Sequence, residues 1–161
     1  MANTVKGSLK GNGYRIAVIS SRFNEEITSN LIKGAMKSLL NNGVSEKDIT
    51  LYYVPGAYEI PAVLEKICKE NGKHKYDGVL TLGCVIKGET AHFEYISSAV
   101  SHNINFIASK YSLPVGFCVL TTYTDEQAEA RSAGDFINGG NNKGYEAADS
   151  LIETINLMKE I

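Results

Sequence analysis

Four short apolar runs, each followed by a segment of helical periodicity, constrain this chain more than any other feature of it. The runs cover residues 14–20, 49–54, 78–86 and 115–120. Between them, Ile27, Leu31, Ala35 and Leu39 recur at helical spacing. So do Phe93, Ile96, Val100, Ile104, Ile107 and Tyr111. Asn24 is placed to cap the first helix, glutamates fill its first turn, and Gly43 ends it. A second helix is predicted near 58–70, with Pro61 tolerable in its first turn. A short helix is predicted over 125–131, and a last one from about Gly144, with Leu151, Ile155 and Met158 on one face. The order β-α-β-α-β-α-β-α predicts an α/β fold: a parallel sheet with helices on both faces, since crossovers are short and right-handed. Four strands make a small sheet, which leaves apolar surface for subunit contacts.

At 161 residues the chain is one domain with room for a core. A formal charge of −2 shows no basic excess, which argues against nucleic acid as a partner. No apolar run approaches the roughly 20 residues a membrane helix needs, and the polar N-terminus lacks the apolar core of a signal peptide. Cys68, Cys84 and Cys118 are far apart and odd in number, and each lies in an apolar pattern. They read as buried reduced thiols of a cytoplasmic protein, not as a disulfide or zinc framework. The three histidines show no metal-ligand spacing. Residues 1–13 are polar, with Val5 and Leu9 the main apolar points, and alone would be a loose arm. Residues 132–142 are rich in Gly and Asn and read as a loop.

The chemistry gathers where strands hand over to helices, the edge at which open α/β sheets bind ligands. After the third strand come Lys87, Gly88, Glu89, Thr90 and His92. Free N–H groups and the dipole of a helix start favour an anion such as phosphate, and a histidine beside it can move protons at neutral pH. A capping or surface histidine is the plain alternative. After the first strand, Phe23 can stack on a planar ligand, or can close the core edge. After the second, Gly56 and Ala57 let backbone approach a ligand closely, while Glu59 can bind a ligand or simply suit the helix dipole. Arg131 and Lys143 flank the Gly/Asn loop, and either can meet a phosphate, Arg with the better fork. Solvated charge is the competing reading, favoured for Lys143. Phe117, inside the fourth strand, is a core residue by default. His74 reads as a solvated loop residue and His102 as surface or interface. There is no Walker loop, no Gly-x-Gly-x-x-Gly and no Gly-x-Ser-x-Gly.

Taken in order, several motifs resemble the lumazine synthase family. They are Arg22-Phe23-Asn24, Gly56-Ala57-Tyr58-Glu59-Ile60-Pro61, Gly83-Cys84-Val85-Ile86-Lys87-Gly88-Glu89-Thr90-Ala91-His92-Phe93, Thr121-Thr122, Glu126-Gln127-Ala128, Arg131, and Asn142-Lys143-Gly144-Tyr145-Glu146-Ala147-Ala148. Each is weak alone, but the ordered set covers most of residues 13–158 and is specific. The resemblance implies a three-layer flavodoxin-like sandwich with a four-stranded parallel sheet. It implies condensation of 5-amino-6-(D-ribitylamino)uracil with 3,4-dihydroxy-2-butanone 4-phosphate to 6,7-dimethyl-8-ribityllumazine, with phosphate and water released. No protein nucleophile, metal or organic cofactor is implied. His92 would transfer protons. Phe23 would stack on the pyrimidine, Ala57, Tyr58 and Glu59 would bind ring and ribityl chain, and Cys84, Val85 and Ile86 would line the ring pocket with backbone groups. Glu89 and Thr90 would hold the phosphate ester. Phe117 and Arg131 would come from the neighbouring subunit, to close over the ring and pair with the phosphate, with Lys143 nearby. The arm, residues 4–9, would add a strand to a neighbour's sheet.

One departure bears on assembly. The family's usual run after Arg131 is short, close to Ala-Gly-Thr-Lys-Ala-Gly, whereas here residues 132–141 are several residues longer. Such extensions go with isolated pentamers in relatives, so a homopentamer is expected over a sixty-subunit icosahedral cage. Association with riboflavin synthase, as in some relatives, is left open. A flavin- or lumazine-binding or shell-forming protein without chemistry is the main competing reading. A phosphate-plus-proton set at Glu89, Thr90, His92 and Arg131 argues against it. A flavodoxin-like signalling domain would need an acidic phosphorylation cluster that the sequence lacks.

Overall fold

Strands β1 (Ile16–Ser21), β2 (Ile49–Val54), β3 (Gly78–Ile86) and β4 (Val115–Thr122) form one parallel sheet in the order β2-β1-β3-β4. The computed structural model describes residues 2–134 and 141–161. The central strand β1 is buried throughout and β3 along most of its length, as expected of parallel strands covered on both faces. Alternate side chains of β1 and β3 feed two separate cores. On one face Ile16, Val18, Leu80 and Leu82 meet α1 (Glu25–Asn41), α5 (Asp125–Ser132) and α6 (Lys143–Lys159). On the other, Ala17, Ile19 and Val79 meet α2 (Ile60–Lys69) and α4 (His92–Tyr111). Burial of each such Leu or Ile contributes roughly 1.5–3 kcal/mol relative to exposure. The three-layer α/β sandwich read from the periodicity is the observed fold.

Several details differ from the sequence reading, each for a local reason. Tyr14 stands outside β1. Its N–H donates to the Gly11 carbonyl at 3.1 Å in a turn, and its hydroxyl donates to Asn156 at 2.7 Å. The strand β4 runs on to Thr122 because Val85 and Ile86 pair with Thr121 and Thr122. The expected helix near 58–70 opens as a 3₁₀ turn over Ala57–Glu59, and α2 follows with Pro61 in its first turn. His74 ends a short helix α3 (Asn71–His74), not a loop. Asn71 closes that turn, accepting from Tyr76 N at 2.7 Å and donating to Tyr76 O at 3.0 Å.

Asn24 does not cap α1 through its side chain. It takes a left-handed conformation (φ 57°), and its Nδ2 donates instead to the Cys84 carbonyl at 3.0 Å, tying the end of β1 to β3. The arm is not wholly loose either. Asn156 of α6 donates to the carbonyls of Ser8 and Lys10, and Gly11 N donates to Asn42 O at 2.7 Å. A Cβ at Gly7 would lie 1.9 Å from the Glu153 carbonyl, so this backbone can seat on α6 only as glycine. Val5 and Leu9 remain exposed. Most of the expected loop at 132–142, residues 135–140, lies outside the described residues.

Candidate active site

A cleft of about 390 Å³ opens at the C-terminal edge of the sheet, within the usual range for small-molecule sites. Three strand ends build it. At the end of β1, Arg22 N donates to Val54 O at 2.9 Å and Phe23 N to Pro55 O at 3.0 Å. With Asn24 tied to β3, the Phe23 backbone is held on two sides while its ring stays 70% exposed. Phe23 therefore does not close the core edge; it offers a flat apolar face to the cleft.

At the end of β2, Gly56, Ala57 and Tyr58 line the same cleft. Ala57 is buried and the Tyr58 ring is largely exposed. Glu59 is absent from the lining among the described residues. Its Oε2 accepts from Gly56 N at 2.8 Å and holds the turn into α2, which engages one of its two carboxylate oxygens.

At the end of β3, Cys84, Val85 and Ile86 form the floor. Burial, and secondarily the charge of Asp125, pushes the Cys84 thiol up to about 12, which removes it as a nucleophile at neutral pH. Lys87 N donates to Thr122 O at 2.9 Å. The Lys87 ammonium lies 5.6 Å from the Tyr123 ring centroid and 4.0 Å from Glu94, so it faces the β4 side. Gly88, Thr90 and His92 line the cleft; Glu89 is exposed outside it. The helix α4 begins at His92, and Ala91 at its N-cap supplies no side-chain cap. His92 N donates to Thr90 Oγ1 at 3.4 Å. With Ala91 giving no side-chain cap, the start of this 20-residue helix presents the positive end of its dipole beside the one bond from His92 N to Thr90. Phe93, quoted in the sequence motif without a role of its own, and Ile96, read as a member of the α4 stripe, also line the cleft. Their place one turn from the helix start was the signal available.

Phe117, Arg131 and Lys143 are not in this cleft. They border a second hollow of about 390 Å³ beside β4 and α6. Phe117 is 47% exposed, which overturns its reading as a core residue. Its neighbours Gly116 and Cys118 point into the α6 face, so strand alternation turns Phe117 toward α4, where it borders a groove with Ser101, Ile104 and Ala108. Arg131 Nη1 donates to the Gln127 carbonyl at 2.9 Å. Lys143 is paired with Glu146 at 2.8 and 2.9 Å. Thr124 caps α5 and Asn142 caps α6, accepting from Gln127 N and Tyr145 N at 3.2 Å each. Burial pushes the Cys118 thiol under this hollow up to about 12, with the neighbouring Cys84 and Glu146 adding to it.

Among the described residues no group of three or more His, Cys, Asp or Glu is placed to hold a metal ion. Nor is any helix among them long and apolar enough to cross a membrane. The cleft lies on the carboxyl edge of a parallel sheet, where α/β enzymes bind their ligands, and it brings together a flat aromatic, a helix start and a histidine. The family model described as 6,7-dimethyl-8-ribityllumazine synthase matches residues 13–159. The chain belongs to that family, which implies lumazine synthase activity in riboflavin biosynthesis.

Proposed function

We propose that the protein condenses 5-amino-6-(D-ribitylamino)uracil with 3,4-dihydroxy-2-butanone 4-phosphate to give 6,7-dimethyl-8-ribityllumazine. The pyrimidine's own amine attacks the ketone and forms an imine with loss of water. Phosphate is then eliminated, and attack of the ribityl-bearing amine on the remaining carbonyl closes the ring with loss of a second water. The observation that carries this reading is the convergence of Phe23, the Cys84–Val85–Ile86 floor and His92 in one cleft at the open start of α4. Phe23 stacks on the pyrimidine, Ala57 and Tyr58 flank the ring and ribityl chain, and His92 moves protons during imine formation and elimination. Glu59, engaged with Gly56, reaches ribityl hydroxyls through its second carboxylate oxygen. Thr90 and Glu89 hold the phosphate ester through the N–H groups of their turn. Positioning two substrates together supplies much of the remaining acceleration.

Arg131, Lys143 and Phe117 belong to the same reaction in a neighbouring copy's site. What supports this is their separation from the cleft within one chain, together with the exposure of Phe117 at the sheet edge. The assembly is a homopentamer, with a sixty-subunit cage as the alternative, and the arm at residues 4–9 reaches a neighbour's sheet. The protein works in the cytoplasm on small molecules, and riboflavin synthase is a candidate partner.

Mixing the purified protein with both substrates and following lumazine and inorganic phosphate together tests the reaction. Stoichiometric appearance of both supports it. A folded oligomer giving neither above the uncatalysed background defeats it. A yellow fluorescent protein without turnover would instead favour a lumazine- or flavin-binding role. Sedimentation at megadalton mass would replace the pentamer with the cage.

A further inference from the structure

Beside the second hollow lies a buried amide to which the reaction above gives no part. Asn142 is fully buried. Its Oδ1 caps α6 by accepting from Tyr145 N at 3.2 Å. Its Nδ2 donates to the Asn30 carbonyl of α1 at 3.0 Å and to the carbonyl of Ser132, the last residue of α5. One side chain thus joins three helices. Arg131 immediately precedes one of its partners, and Lys143 immediately follows it.

Neighbouring glycines are fitted to this arrangement. A Cβ at Gly34, inside α1, would lie 2.1 Å from Asn142 Oδ1. A Cβ at Gly144 would lie 2.2 Å from the Leu31 carbonyl, so α6 can start against α1 only with glycine there. Capping alone does not require asparagine, since Ser, Thr or Asp would cap as well. The two donor bonds do require the amide, because none of those side chains can cap with an acceptor and donate twice. Leaving the Asn30 and Ser132 carbonyls without this donor would weaken the link between α5 and α6.

We propose that Asn142 is a positioning residue, which sets the spacing of Arg131 and Lys143 independently of the chain that connects α5 to α6. This rests on the phosphate role given above to Arg131 and Lys143.

The test is a KM split. Asn142→Ser keeps a cap acceptor and removes the paired donors. Its KM for the butanone phosphate should rise about tenfold, while its KM for the pyrimidine stays within about twofold. Gly34→Ala presses a methyl on the same amide from α1 and should give the same split. The double variant should cost less than the two effects combined, because both act through one side chain. If one variant fails to fold, the other carries the test; failure of both, a lowered melting temperature with both KM values unmoved, or an equal rise in both, overturns the proposal. Inorganic phosphate, titrated and followed by ³¹P line broadening, separates this from the reaction assignment. A wild type that binds phosphate about tenfold tighter than Asn142→Ser but turns nothing over would defeat the reaction and keep the positioning role. Equal phosphate affinity in an inactive wild type and the variant, or no binding by either, would overturn the positioning role.

Discussion

The two hollows are alike in size and opposite in chemistry. The cleft at the ends of β1, β2 and β3 has exposed aromatic rings, a histidine and an open helix start, and among the described residues neither lysine nor arginine lines it. The hollow beside β4 and α6 has Arg131 and Lys143 and no histidine in its lining. One offers a flat surface and a proton carrier; the other offers fixed positive charge. A reaction that joins a heterocycle to a phosphate ester needs both. The fold places them on different elements, with Phe117 turned outward at the edge between. On the proposed reaction each hollow supplies what the other lacks, and this is the ground for proposing that a neighbouring copy completes the site.

Disabling one hollow at a time separates their contributions. His92→Ala should lower kcat by about 10²–10⁴-fold with an unchanged melting temperature, since its side chain is exposed and outside both cores. An unchanged rate at saturating substrates would remove His92 from the mechanism. Co-expressing His92→Ala with Arg131→Ala then asks where the halves meet. If they belong to adjacent copies, random mixing regenerates wild-type pairs at about a quarter of the sites, as in a heterologous ring. If both residues serve one chain's own site, the mixed oligomer, assayed well below the wild-type KM for the phosphate substrate, does no better than the average of its two parents.

Arg131→Ala alone should raise KM for the phosphate substrate about 10- to 100-fold, the loss expected for one charge-assisted contact. Movement of the pyrimidine KM alone would place Arg131 on the wrong substrate. Phe117→Ala should be milder, about 2- to 10-fold on the pyrimidine KM. An unaffected pyrimidine KM would return Phe117 to a purely structural account of the sheet edge.

The halves were not equally visible in the sequence. Short apolar runs located β2 and β3, and a period of 3.6 located the buried stripe Val100, Ile104 and Ile107, because burial in a sheet or on a helix face leaves a local imprint. Phe117 was misread by the same rule. An apolar residue inside a strand looks like core, and nothing local says that β4 is an edge strand whose α4-facing side is left partly uncovered. Asn24 has the side chain of a cap but spends it on Cys84 O, a partner 60 residues away. Glu59 has the charge of a ligand residue, and a backbone N–H three residues earlier accounts for one of its oxygens. Asn142 appeared only within a motif; its three simultaneous bonds require the packing of α1, α5 and α6.

The comparison also has a common term, and it gives the smallest of the expected effects. Cys84 lies under the first hollow and Cys118 under the second, and burial raises both thiols to about 12 from an ordinary value of 9.0. Neither half can then use a thiolate near neutrality, so the two differ in charge and surface but not in nucleophilicity. The thiols of the native protein, including buried Cys68, should resist alkylation by iodoacetamide at pH 8 and react once denatured. Alkylation of the native protein at the denatured rate would sink this account of both floors. The linkage has a fixed sign. A folded-state value above the unfolded one means that the unfolded chain loses its thiol protons first, so stability is full below about pH 9 and falls as pH rises toward 12. Tyr52 adds to the loss between its ordinary 10.0 and about 12, because its hydrogen bond to Tyr76, and then burial, hold its proton. Melting temperature should therefore be level from pH 7 to about 9 and decline above it. Cys118→Ala should flatten the decline from about pH 9 onward, whereas a Tyr52→Phe change should flatten only the part above about pH 10. Identical alkaline slopes in all three proteins would mean that the buried thiols do not set the alkaline limit of the fold.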